Sequence, residues 1–284
     1  MAPRFITPAA LRDVASRHPE QFRVSPLQRL WVALIIGSAC AIFLYGLVRL
    51  DVSPARLLAG LGQLGWFVGL MLPPDPGAHL ATYLWAMIET LAIAFLGTCV
   101  AAILALPFGF LAARNVVPIW IWRILTRRFL DTVRSVDTLI WALIWISVVG
   151  LGPFAGVLAI ASSDFGAFGK LFSEAIETVD KKAREGVRST GATPLEEIRF
   201  GLVPEIVPVI AAQVLYYFES NTRSATIIGI VGAGGLGLHL SEQIRTLEWQ
   251  AVSFIILMIL VVVAIIDWLS SKLRFAIIGR KRTD

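Results

Sequence analysis

Apolar residues fall along this chain in long blocks, not in the short alternating pattern of a soluble sheet or the sparse stripe of a surface helix. A helix needs about 20 mostly apolar residues to cross the hydrocarbon layer of a bilayer. Six blocks approach that length, at 30–48, 80–110, 136–150, 154–172, 206–230 and 252–269. The block at 80–110 is long enough to project beyond the bilayer. The block at 136–150 is short, and the residues before it are expected to extend its helix. Residues 154–172 are weakly apolar and carry Ser162, Ser163 and Asp164, and 206–230 is interrupted by a polar run at 219–224. A further apolar stretch, 54–72, is rich in glycine and ends in Pro73-Pro74. It reads as an amphipathic or half-buried helix on the outer surface, with a crossing as the alternative. The pattern predicts an all-α integral membrane protein with six transmembrane helices.

Charge placement tests that count. Cytoplasmic loops of membrane proteins carry an excess of Lys and Arg. With six spans and both termini cytoplasmic, 21 of the 25 basic residues fall on the inner side, leaving Arg49, Arg56, Arg223 and Arg245 outside or near the outer face. An odd number of spans breaks this agreement, and a crossing at 54–72 moves Arg114 to Arg134 outside. Composition agrees with a membrane protein: 57% of residues are hydrophobic, 16% are charged and the mean hydropathy is +0.75, where soluble domains carry about 25% charged residues. The pI near 9.6 therefore reflects topology and not nucleic-acid binding. The chain divides into residues 1–79 (a cytoplasmic N-terminal segment, the first span and the outer-surface segment), a core at 80–274 with five spans, and a basic cytoplasmic tail at 275–284.

The inner loop between the fourth and fifth spans holds the most encoded structure. Leu171, Phe172, Ala175, Ile176, Val179 and Ala183 recur at helical spacing, which predicts an amphipathic helix running toward Gly191, a natural helix stop. Thr193 can be an N-cap, Pro194 the first helical residue and Glu196 its capping-box partner. Pro204 then starts the next span. A plain solvated connection is the alternative, but inner loops are mostly short and unstructured, and a rigid elbow suits a place where one protein pushes on another.

Glu185-Gly186-Val187, three residues, Gly191, nine residues, then Gly201-Leu202-Val203-Pro204 resembles the EAA loop of ABC importer permeases. Gly186, Val187, Gly201 and Val203 depart from that family's consensus while remaining small or apolar. The resemblance implies a coupling helix seated in a cleft of a separate ATPase, with Glu185, Gly186, Arg188, Gly191, Ala192, Thr193, Glu196 and Pro204 as the coupling residues. The runs 148–159, 170–174, Phe218-Glu219-Ser220-Asn221-Thr222-Arg223-Ser224-Ala225 and 231–237 look like the phosphonate-importer permeases, members of the MetI-like type I group, over roughly 80–274. The N-terminal seventy-odd residues match less distinctively. What the resemblance implies is a non-catalytic permease in the bacterial cytoplasmic (inner) membrane. Its partners would be two copies of an ABC ATPase, a second permease copy (identical or related), a soluble substrate-binding protein and membrane lipid. No cofactor is expected in this chain, because ATP and Mg belong to the ATPase. The substrate would be phosphonate, with phosphite, phosphate or another small oxyanion left open.

Two further features carry chemistry. In the fifth span, Glu219 and Arg223 stand four residues apart, as a self-neutralising pair that locks helix packing or as part of a translocation path with Ser220, Asn221 and Ser224. The two readings are compatible if Glu219 holds Arg223, whose guanidinium could offer an anion a charge-assisted donor. Gly232, Gly234 and Gly237, with Gly235 between them, satisfy G-x-G-x-x-G, but no strand precedes them. They read as a bend before a short outer helix and part of a periplasmic gate, or as close packing. No Walker A sequence, zinc-protease motif or nucleophile elbow occurs. Cys40 and Cys99 lie in apolar runs and read as small hydrophobes, and His18, His79 and His239 as ordinary loop or interface residues. Asp137 reads as a helix-capping or interfacial residue, with a functional role as the alternative. An ion-coupled secondary transporter would show paired broken helices, and this chain offers one. An intramembrane enzyme would need a catalytic constellation that is not visible.

Overall fold

The computed structural model describes residues 26–51 and 53–279. Arg4, Arg12, Arg17, Arg23, His18, Arg280, Lys281 and Arg282 lie outside them. Among the described residues every regular element is helical. The chain forms two units, one ending at Gly69 and one beginning at Leu70.

The first unit holds α1 (Pro26–Arg49) and nearly all of α2 (Pro54–Leu70). Neither buries a side chain. Between them Arg56 pairs with Asp51 at 2.6 Å, and the Arg56 N–H donates to the Ser53 hydroxyl at 3.2 Å, fixing the start of α2. The 24 residues of α1, mostly apolar, are enough to span a bilayer, whereas α2, with 17, sits at the short limit.

In the second unit a 3₁₀ turn (Gly77–His79) leads into α3 (Leu80–Ala112), followed by α4 (Trp120–Arg134), α5 (Thr138–Val149) and α6 (Pro153–Glu177). Then come α7 (Lys181–Arg188), a single helical turn (Pro194–Glu196) and a π turn (Glu197–Leu202). The π turn passes directly into α8 (Val203–Ile230), and α9 (Leu236–Thr246) and α10 (Trp249–Gly279) complete the unit. Among the described residues of both units, five helical runs, α1 included, are long and apolar enough to cross a membrane, or six if the bent pair α4–α5 counts as one.

Helix α6 is the axis of this unit. Lipid tails are as apolar as leucine, so helices in a membrane associate through close packing of small residues. The buried Ala155, Ala159 and Ala167 of α6 and Ala94, Ala101 and Ala105 of α3 supply such faces. At Gly97 the approach is so tight that a Cβ would come within 2.7 Å of Ile160. Ile93, Ile160, Ile228 and Ala233 fill the core at one end, and Phe168 and Phe172 fill it further along. Ala113, Ile176, Leu202 and Ile206 close it beside the segment that follows α6.

Three expectations about elements change. The residues before 136 do not continue the helix of the third block: α4 and α5 meet at 84°. The Asp137 carboxylate accepts the Leu139 N–H at 2.8 Å and starts a new helix there, as a cap. The amphipathic helix expected from 171 toward Gly191 is two helices. The Thr178 hydroxyl donates to the Ala175 carbonyl at 2.9 Å at the end of α6, and the Asp180 carboxylate accepts the Lys182 N–H at 3.0 Å to begin α7. Finally, 219–224 does not interrupt α8, which runs unbroken through them. Glu219, Asn221 and Thr222 are buried in the protein, and Thr222 donates to the Phe218 carbonyl at 3.0 Å, so the helix keeps its path while its polar groups find partners.

Candidate coupling loop and transmembrane polar site

The loop after α6 is a helix, a glycine turn and a second helical start. Gly191 sits at φ +82°, where side-chain-bearing residues are strained, and its N–H donates to the Arg188 carbonyl at 3.0 Å. Two residues on, the Thr193 N–H and hydroxyl both donate to the Glu196 carboxylate at 2.8 Å, the reciprocal arm of a capping box. Gly186, Gly191, Ala192 and Glu196 line one open groove together with Val187 and Phe200. Glu185 and Arg188 stand exposed beside it on α7, and Pro204 lies in the first turn of α8. Leu195 and Phe200 are 78% and 61% exposed, so among the described residues this elbow presents largely uncovered apolar side chains.

A polar relay that spacing could not reveal ties the elbow to the helical core. Arg184 of α7 donates to Glu197 in the π turn at 2.7 Å and to the Asn115 carbonyl at 3.1 Å. The Asn115 amide donates to the Ile176 carbonyl at 2.7 Å, at the end of α6. Next to it Glu177 accepts the Arg114 N–H at 2.7 Å and pairs with Arg127 of α4, which also donates to the Ala112 carbonyl at 3.0 Å. The π turn brings Gly201 against α7, where a Cβ would sit 3.3 Å from the Ala183 carbonyl.

The polar run of α8 separates into three settings. Asn221 is buried and donates to Thr98 of α3 at 2.8 Å and to Asp164 of α6, joining three helices. Glu219 is 7% exposed and holds two arginines, Arg223 at 3.6 Å and Arg274 of α10 at 3.0 Å. Arg223 keeps half of its side chain exposed. Ser220 and Ser224 are half-buried on α8, and the Ser224 hydroxyl turns back to the Ser220 carbonyl at 3.5 Å. The structure thus brings Glu219 and Arg223 together as the spacing predicts and adds Arg274, while Asn221 faces a different set of neighbours.

Gly232, Gly234 and Gly235 adopt positive φ, at +104°, +81° and +72°, and reverse the chain between α8 and α9. The turn is buried. The Gly235 N–H donates to Glu89 at 3.0 Å and the Leu236 N–H to the Thr90 hydroxyl at 2.8 Å, both from α3. These amides, which a phosphate-binding glycine loop would aim at its ligand, are taken. Gly237 instead crosses α8: a Cβ there would stand 2.0 Å from the Thr226 carbonyl. In the sequence Asp164 is marked only as a polar residue of a weakly apolar block, and Glu89, Thr90, Thr98 and Arg274 are not singled out, because the groups they bind across the fold lie far along the chain.

Residues 105–277 match the family described as binding-protein-dependent transport system inner membrane component. The phosphite transport system permease protein PtxC of Stutzerimonas stutzeri is 37% identical over 218 residues, 77% of this chain and 79% of that protein. The phosphate-import permease protein PhnE of Mycolicibacterium smegmatis is 35% identical over 241 residues, 85% of this chain and 44% of that protein. Among solved structures, a chain of the MetNI methionine ABC transporter in an inward-facing conformation superposes with a TM-score of 0.59 at 20% identity, covering 69% of this chain and 95% of that chain. At that identity the likeness speaks for the fold alone. The family match spans the elbow, the polar run of α8 and the glycine turn, over more than half of the chain, so this protein belongs to the binding-protein-dependent transport system inner membrane components and is a multi-pass, non-catalytic permease subunit of an ABC importer.

Proposed function

We propose that this permease passes a small phosphorus oxyanion, phosphite or a phosphonate first, delivered by a soluble binding protein and driven by two copies of a separate ATPase. The observation that carries the coupling role is the elbow itself. Its glycine turn, capped second start and uncovered Leu195 and Phe200 make a rigid apolar projection, and the relay through Arg184, Asn115 and Glu177 leads from it to α3, α4 and α6. Glu185, Gly186, Arg188, Gly191, Ala192, Thr193, Glu196 and Pro204 form the docking side. Glu219, Ser220, Asn221, Arg223 and Ser224 serve the path, and Gly232, Gly234, Gly235 and Gly237 the outer gate. The substrate class rests on relatives named for phosphite and phosphate.

In the same reading the bent pair α4–α5 is one span. Six spans then place both termini and the elbow in the cytoplasm, as the basic residues favour. By role the chain then divides into 1–79, the core 80–274 and the tail 275–284, and two permease copies enclose the path. The test is to purify the chain with its ATPase and add binding proteins loaded with phosphite, a phosphonate or phosphate. The loaded protein that stimulates ATP hydrolysis most identifies the substrate. Gly191→Trp should prevent ATPase assembly while the permease still inserts, and normal assembly of that variant contradicts the docking role.

A further inference from the structure

We propose that Arg274 is the standing counter-charge of Glu219, and that this arrangement leaves Arg223 as an uncompensated cation that receives the transported oxyanion. The proposal rests on reading 219–224 as part of the path. One carboxylate faces two guanidinium groups, one from its own helix and one from α10, so these three side chains carry one net positive charge. The two arginines are held very differently. Arg274 donates to Glu219 at 3.0 Å and to the Ser270 carbonyl at 3.4 Å, and its guanidinium lies 5.6 Å from the centre of the Tyr216 ring. Arg223 approaches the other Glu219 oxygen at 3.6 Å, beyond direct hydrogen-bond length.

Exposure divides the pair in the same way. The Arg274 side chain is 27% exposed and Arg223 is 50% exposed. Arg223 stands on a stripe of α8 with Tyr216, Ser220, Ile227 and Ile230, and the large apolar members of that stripe are also exposed. A charge at membrane depth is expensive unless it is paired or serves an ion path. Glu219 already has its partner in Arg274, so the surplus charge sits on the arginine that faces away from the core. An oxyanion of one or two negative charges is the ligand that balances it, through the planar donor fork of the guanidinium. Without Arg274, Glu219 would turn to Arg223, and the site would become neutral.

The experiment uses the assembled importer, with ATPase and binding protein, in proteoliposomes, and reads initial phosphite uptake at saturating loaded binding protein. Arg274→Gln should slow uptake about tenfold, the value of one charge-assisted contact. Glu219→Gln combined with Arg274→Gln keeps the net charge of the site and should recover most of the lost rate. Arg223→Gln should be slow alone and in that double background. Wild-type rates for Arg274→Gln, or a double variant as slow as Arg274→Gln, overturn the proposal. If Arg274→Gln does not assemble, the double variant with and without Arg223→Gln decides, and equal rates in those two reject the proposal. Wild-type uptake by Arg223→Gln alone rejects the path reading itself. A slow Arg223→Gln beside a normal Arg274→Gln keeps the path and rejects only the role of Arg274.

Discussion

Single side chains in this protein are costly or harmless according to what lies within a few ångströms of them. Gly237 and Gly60 are both helical glycines, yet a Cβ at Gly237 would stand 2.0 Å from the Thr226 carbonyl and one at Gly60 would meet nothing within 4 Å. Backbone cannot move aside as a flexible side chain can, so Gly237→Ala should destabilise the purified protein by about 1–3 kcal/mol. Gly60→Ala should be neutral or stabilising by up to about 1 kcal/mol, since alanine is the better helix former. Thermal midpoints of the two variants in one detergent check this, and equal midpoints contradict the packing of α9 on α8. The same scale explains why Asn221 tolerates its depth: Thr98 and Asp164 accept from its amide, so it does not leave an unmet donor in an apolar core.

At the scale of elements, the α7 elbow depends on contacts made far along the chain. Arg184 joins α7 to Glu197 and Asn115, so Arg184→Ala removes both bonds at once. Trypsin should then cut after Lys182 sooner than in the wild type, while the overall helix content stays unchanged. Unaltered cleavage means that α7 is held by other means. This element also shows what its sequence discloses. The Thr193–Glu196 cap and the Gly191 stop are legible because each is a local event, closed within three residues or by one backbone angle. The break at 178–180 was missed because Val179 and Ala183 continue the apolar spacing of α6 while Asp180, one residue, restarts the helix. The α4–α5 bend hides in the same way behind Asp137. Conversely, 219–224 looked like a break because polarity shows in a sequence and burial does not. Its partners Thr98, Asp164 and Arg274 lie 123, 57 and 55 residues from those they bind.

The whole molecule is governed by its topology. If the inner elbow and the α9–α10 junction lie on opposite sides of the membrane, an impermeant thiol reagent separates them. With Cys40 and Cys99 replaced, a cysteine at the exposed Leu247 should label in intact cells, and one at the exposed Thr190 only after the membrane is opened. Labelling of both from one side contradicts the six-span arrangement. In the proposed account the core from α3 to α10 is one transmitting body, with an ATPase at the elbow and a cationic point on α8. The most direct test of that account is phosphite uptake by the full importer reconstituted in proteoliposomes, measured with ATP inside the lumen or outside and with the proton gradient collapsed. Uptake that requires ATP on the elbow side, ignores the proton gradient and is lost in Gly191→Trp is the predicted result. Uptake that proceeds without ATP and follows the proton gradient would contradict it.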